Sequence, residues 1–151
     1  DPQQRPGSHG SIARERLVSG WQDKYKTGIP ILDEQYRGLV SLINSFFCHR
    51  ADEDIDHGLV PTAEMFKAYA RINFYTVEKL LSAAGYPDLE QLKEKHHEIL
   101  GAILHVERKC RLRRDAQQFL DFLKDYWVAS VKQLSAGYIG YLYKYYIAKP
   151  Q

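Results

Sequence analysis

The chain is 151 residues long, 44% hydrophobic and 26% charged, with 21 Lys and Arg against 19 Asp and Glu for a net charge of +2. That length suits one domain with a sizeable core and excludes a TIM barrel or a two-domain dinucleotide enzyme. So small a net charge gives no global reason to expect a nucleic-acid partner. Two cysteines, Cys48 and Cys110, are too few for a disulfide scaffold and fit a reducing, cytoplasmic compartment.

Residues 1–11, rich in Gln, Pro and Gly, hold no apolar run for a signal peptide and read as a disordered leader or partly a remnant of cloning. Residues 12–148 form the domain, and Trp21 to Gly28 is an extended arm leading into it. The first helix follows Pro30, capped by Asp33, and carries Tyr36, Leu39, Val40, Ile43, Phe46 and Phe47 on one stripe. The second follows Pro61 and Thr62, with Phe66, Tyr69, Ala70, Asn73, Val77, Leu80, Leu81 and Ala84 facing inward. Gly85 to Asp88 ends it and opens the third, Gly suiting a helix C-terminus and Asp88 an N-cap. The third stripe reads Leu89, Leu92, His96, Ile99, Leu100, Ile103 and Val106. The fourth opens near Asp115 and runs through Phe119, Leu123, Trp127, Val131, Leu134, Tyr138, Tyr141 and Tyr145, every third or fourth residue.

No segment alternates with period two, so the fold class is all-α: an up-down-up-down four-helix bundle with an extended N-terminal arm and a Tyr-rich C-terminal extension. The most apolar C-terminal stretch, Tyr138 to Ala148, is interrupted by Lys144 and falls short of the ~20 residues of a membrane span.

Several motifs carry a resemblance. The run Trp21-Gln22-Asp23-Lys24-Tyr25, then Gly28-Ile29-Pro30 and Leu32-Asp33-Glu34-Gln35, resembles the start of the bacterial haemerythrins. Gly85-Tyr86-Pro87-Asp88-Leu89, with Lys93 and His96 behind it, is similar to that family's entry into its third helix. Phe122-Leu123-Lys124-Asp125 and Tyr138 with Tyr141-Leu142 resemble its fourth. The resemblance spans about Val18 to Leu142 in family order. It implies a bundle that binds oxygen at two irons held by histidines, one glutamate and one aspartate. Carried over, the ligand positions fall on Tyr36, Asn73, Val77, Leu92, His96, Ser130 and Ser135, and only His96 keeps the ligand type. A slip of one in the fourth helix would give Val131 and Ala136 and change nothing.

Iron needs charge-compensating carboxylates and several imidazoles at once. Val77 and Leu92 ligate nothing, and the remaining positions offer no carboxylate. The expectation is therefore no metal and no cofactor, with Val77 and Leu92 filling the vacated centre. Tyr36, Asn73, His96 and Ser130 should pair in one polar network.

Other features compete for function. The two connections at one end are oppositely charged, Asp52, Glu53, Asp54 and Asp56 against Arg108 to Arg114, and read first as solvated loops that attract each other. The spacing of Asp52, Asp54 and Asp56 misses an EF-hand, because Glu64 comes one residue after position twelve. Cys48 and Cys110 belong to diagonal helices, which argues against a disulfide or a shared zinc, and His97 points to the surface. No nucleophile-base pair or phosphate loop supports enzymatic activity. Tyr143, Tyr146 and Ile147, with Arg111, Arg113 and Arg114, are the candidate interaction residues. The preferred expectation is a metal-free structural or protein-interaction module of a larger assembly or signalling pathway, with a protein partner or self-association and no nucleic acid. The alternatives are an oxygen or metal sensor with an atypical centre, or a small-molecule sensor using the vacated cavity.

Overall fold

The computed structural model describes residues 25–49, 55–135 and 137–146. Five helices follow in order: α1 (Pro30–His49), α2 (Ile55–Ala83), α3 (Leu89–Arg113), α4 (Ala116–Ser135) and α5 (Tyr138–Tyr146). No strand occurs among the described residues. α1 packs on α2 and α4, and α3 packs on the same two, so the four long helices form the expected ring with α1 and α3 on one diagonal. No described helix is long and apolar enough to cross a membrane.

The helix ends explain the chain reversals. At the end of α2, Gly85 takes φ 70°, its N–H reaches Ser82 O and the Tyr86 N–H reaches Leu81 O. This paired closure satisfies carbonyls that the helix itself leaves open. α3 ends in the same way on Arg114, a non-glycine residue at φ 53°. Asp115 then caps α4, its Oδ1 accepting the Gln118 N–H at 2.9 Å.

Three expectations need correction here, and a fourth, the N-cap at Asp88, holds in position alone. Asp33 does not cap α1; it lies inside the first turn and reaches backward. Its carboxylate accepts the Thr27 N–H at 2.7 Å, the Thr27 hydroxyl at 2.8 Å and the Gly28 N–H at 3.2 Å, locking the arm onto the helix. Asp88 occupies the N-cap position of α3 without a side-chain cap bond. α2 starts at Ile55, so Pro61 lies within it, withholding an N–H from the second turn. The basic stretch from Arg108 to Arg113 is the last turns of α3 rather than a loop, a placement that suits cations near a helix C-terminus. Of the opposing acidic run, Asp52, Glu53 and Asp54 lie outside the described residues, as do residues 1–11 and Trp21.

The fourth helix differs most. Periodicity carried it through Tyr145, yet α4 stops at Ser135 and Gly137, at φ 70°, turns the chain into a separate α5. There the Tyr141 hydroxyl donates to Ala84 O at 2.9 Å, Tyr145 to Ala83 O at 3.2 Å and Tyr146 to Leu80 O at 3.0 Å. The phenols of Tyr141 and Tyr145 thus occupy carbonyls at the C-terminus of α2 that the glycine closure does not reach, and Tyr146 adds a second donor to Leu80 O, which already accepts the Ala84 N–H.

An enclosed aromatic cluster joins α1, α2 and α4. Phe46 meets Phe119 edge to face at 5.5 Å, Phe66 meets Tyr126 at 4.9 Å, and Leu59, Leu120 and Leu123 are fully enclosed around them. Each such side chain contributes about 1.5–3 kcal/mol through burial.

Candidate functional site

The positions that the haemerythrin resemblance assigns to ligands converge on the middle of the bundle. Tyr36 on α1, Asn73 and Val77 on α2, and His96 on α3 are all buried. Leu92 and Ser130 are half-buried, and the Ser135 side chain lies outside what is described. The expected single polar network splits into three. Tyr36 faces the Asn73 side chain. Asn73 Nδ2 donates onward to Gln35 Oε1 at 2.8 Å, Gln35 Nε2 to Thr76 Oγ1 at 2.9 Å, and Thr76 to Ile72 O at 2.8 Å. This chain ends on backbone, so the amide is satisfied without His96. Ser130 turns back to its own helix, donating to Tyr126 O at 3.0 Å.

His96 stands apart. Its ring lies flat on Phe74, with centroids 4.0 Å apart and 5° between the planes, and meets Tyr138 edge to face at 6.5 Å. Glu78 Oε2 approaches Nδ1 to 3.5 Å, at the long limit of a hydrogen bond. Burial pulls the imidazole below its usual pKa and Glu78 only partly offsets this, so the ring is neutral at pH 7. Around it stand phenols. Burial raises Tyr36, Tyr69 and Tyr126 well above the ordinary range, and Tyr138 to about 12, each reinforced by at least one neighbouring phenol.

The centre is not packed solid, which corrects the expectation that Val77 and Leu92 would fill it. Val77 is fully enclosed, but a cavity of about 300 Å³ remains beside it. Its floor is Tyr36, Asn73, Phe74 and His96. Ile99 and Phe122 close one end, and Tyr126, Ser130 and Tyr138 the other side. It opens at the α3–α4 seam, where Lys95, Ala102 and Ala129 are exposed.

The donor chemistry at this centre does not fit two irons. The ligand-equivalent positions supply one imidazole, a phenol facing an amide, a serine turned to its own backbone, and two aliphatic side chains. Glu78 is the carboxylate beside His96, and among the described residues no group of three or more His, Cys, Asp or Glu side chains is placed to hold a metal ion. What the arrangement can do chemically is enclose an apolar body and present neutral hydroxyl and imidazole groups to it.

Sequence reasoning missed Phe74, Glu78, Lys95 and Tyr126 as parts of this centre. The available signal was adjacency: Phe74 and Glu78 each follow a ligand-equivalent position, Lys95 precedes one, and Tyr126 lies one turn before Ser130. The interaction candidates scatter. Tyr143 is half exposed, Tyr146 is engaged with α2, and Ile147 lies outside the described residues. Arg111 approaches the buried Glu107 to 3.7 Å, Arg113 is exposed, and Arg114 forms the turn after α3. Cys48 and Cys110 are both free thiols, one exposed and one buried, and His97 is exposed as expected.

No family model matches the chain. Curated proteins named Bacteriohemerythrin are similar to it. Those from Pseudomonas paraeruginosa and Pseudomonas aeruginosa are 26% identical over 121 residues, covering 79% of this chain and 78% of the relative. One from Stenotrophomonas maltophilia is 23% identical over 109 residues, covering 72% and 70%.

Proposed function

Starting from a haemerythrin-like helical bundle, the assignment supported by these relatives and by the all-helical ring, we propose that this chain works without a di-iron centre. Its role is that of a structural or protein-interaction module in a larger assembly or signalling pathway, and not that of an enzyme. The observation that carries the reading is the donor set: one imidazole, flanked by Phe74 and phenols, where two irons would need several imidazoles and bridging carboxylates. An iron centre staples a bundle together, whereas here aromatic packing and the Asn73–Gln35–Thr76 chain hold the same helices. An interaction role draws support from α2, whose outer face exposes Met65, Ile72 and Tyr75 at 61%, 59% and 64% on one stripe.

The test is metal analysis of protein purified under iron-replete conditions, with thermal unfolding before and after iron is added. The expected result is iron far below two per chain, no ferric-oxo absorption and an unchanged melting temperature. A stoichiometric iron pair with a raised melting temperature would overturn the reading. For the interaction role, sedimentation and partner capture are compared between the wild type and Ile72→Glu. Loss of an assembly in the variant supports it, and identical behaviour of a monomer that captures nothing counts against it.

The alternative of a small-molecule sensor has one specific observation in its favour, the cavity at the centre. Pockets of about 300–1,000 Å³ with a few convergent polar groups are the usual size of ligand sites.

A further inference from the structure

The geometry points to a ligand for the central cavity: a small carboxylic acid whose apolar body fills the space between α3 and α4 and whose carboxylate lies beside Lys95. This inference rests on the metal-free reading above and deepens its small-molecule form. Size comes first. A volume of about 300 Å³ equals roughly ten water volumes of ~30 Å³ each, which admits an organic molecule of about ten non-hydrogen atoms.

Polarity is divided along the cavity. α3 and α4 run antiparallel, so Ile99 and Ala102 on one helix face Phe122 on the other, and that end is apolar. Toward the opposite end come Lys95 and His96, with Ser130 and Tyr138 across from them. A ligand matching this division has one apolar end and one polar end.

The polar end favours an anion. Among the described residues lining the cavity, Lys95 is the one with a formal charge, and it is exposed at the mouth where a charged head keeps part of its hydration. The Tyr126 and Tyr138 hydroxyls and His96 Nε2 form no hydrogen bond with any described residue. Two phenols held protonated by burial are donors looking for an acceptor, and a carboxylate offers about four acceptor sites. One ammonium and neutral donors match a single negative charge; a phosphate dianion would need more cationic partners. Glu78 faces the far side of His96, at Nδ1, so in the neutral ring Nε2 is left as an acceptor, and the carboxylate is held by Lys95 and the two phenols, not by the imidazole. The apolar body can be an aromatic ring or a medium-length acyl chain, and the experiment distinguishes them.

Isothermal titration of the full chain uses 3-phenylpropionate and octanoate as the two acids, with 3-phenylpropanol as the neutral control. Saturable one-to-one binding of at least one acid is expected, at least tenfold tighter than the alcohol; which acid binds identifies ring or chain. Ala129→Phe, a change at an exposed position of the mouth, should weaken the acid at least tenfold with the circular dichroism unchanged. Lys95→Met should bring acid and alcohol to equal affinity. No saturable binding of either acid, equal affinity for acid and alcohol in the wild type, or full binding by a folded Ala129→Phe protein each overturns the proposal. Those failures in iron-free protein leave the metal-free reading standing, whereas stoichiometric iron at the centre overturns both.

Discussion

Where α1, α2 and α4 meet, Phe66, Phe119 and Leu120 leave no surface exposed, and Phe46 meets Phe119 edge to face. In the middle of the bundle the same four helices leave about 300 Å³ open between His96, Phe74 and Tyr126. Apolar side chains dominate both regions, so composition does not separate them. The difference is in what each centre was shaped to enclose. Close-packed interiors tolerate few voids larger than a water, and a space this size persists only where the surrounding helices are held apart by other contacts. Here the arm lock at Asp33 and the three phenols of α5 tie the helices together at one end of the bundle, and the contact of Phe46 with Phe119 joins them at the other.

The comparison breaks most visibly if the packed cluster is opened. Phe66→Ala should cost about 3–5 kcal/mol, read as a lower urea midpoint at constant m-value; a loss under 1 kcal/mol would mean that this cluster is not close-packed. A matched enlargement sharpens the contrast. Leu120→Phe in the closed region should cost about 1–3 kcal/mol by overpacking, while Leu92→Phe at the cavity wall should be neutral or mildly stabilising. Equal losses in both would show that the cavity is not available to side chains. Next in size is the α5 clasp. Tyr141→Phe removes one hydrogen bond to Ala84 O and should cost about 1 kcal/mol, with faster amide exchange around the α2 C-terminus.

The smallest expected effect is a pH dependence. His96 titrates below its unfolded value because burial disfavours the cation, so the unfolded chain binds the proton more readily. Its contribution to stability is fully present above about pH 6.5 and is lost as pH falls through the lowered folded value. Denaturation midpoints measured between pH 5 and 8 should therefore fall at the acid end, and His96→Gln should flatten that slope. An identical slope in the variant would assign the effect to other groups.

Legibility followed the range of the interactions. The inward stripes of α1 and α4, such as Tyr36, Leu39, Ile43 and Phe119, Leu123, Trp127, were readable because helical burial repeats every three to four residues. Gly85 was readable for the same local reason. The break at Gly137 was not, since Leu134, Tyr138, Tyr141 and Tyr145 keep helical spacing straight across it. The start of α2 was misplaced because Pro61 outweighed the six residues before it, which are helical all the same. Asp33 was given the wrong role because a carboxylate near a helix start serves either as a cap or as a backward lock, and sequence order alone does not choose.

The sequence by itself determined an all-helical bundle of four long segments, the placement of Tyr36, Asn73, Val77 and His96 at its centre, and the haemerythrin-like pattern around them. All of these follow from contacts between near neighbours in the chain. Tertiary structure decided the rest. The Tyr141 and Tyr146 bonds to α2 span 57 and 66 residues of sequence, the polar chain from Gln35 to Asn73 spans 38, and the cavity is bounded by all five helices. A void belongs to no residue: it is the volume left when helices fixed at their ends meet side chains that do not reach across.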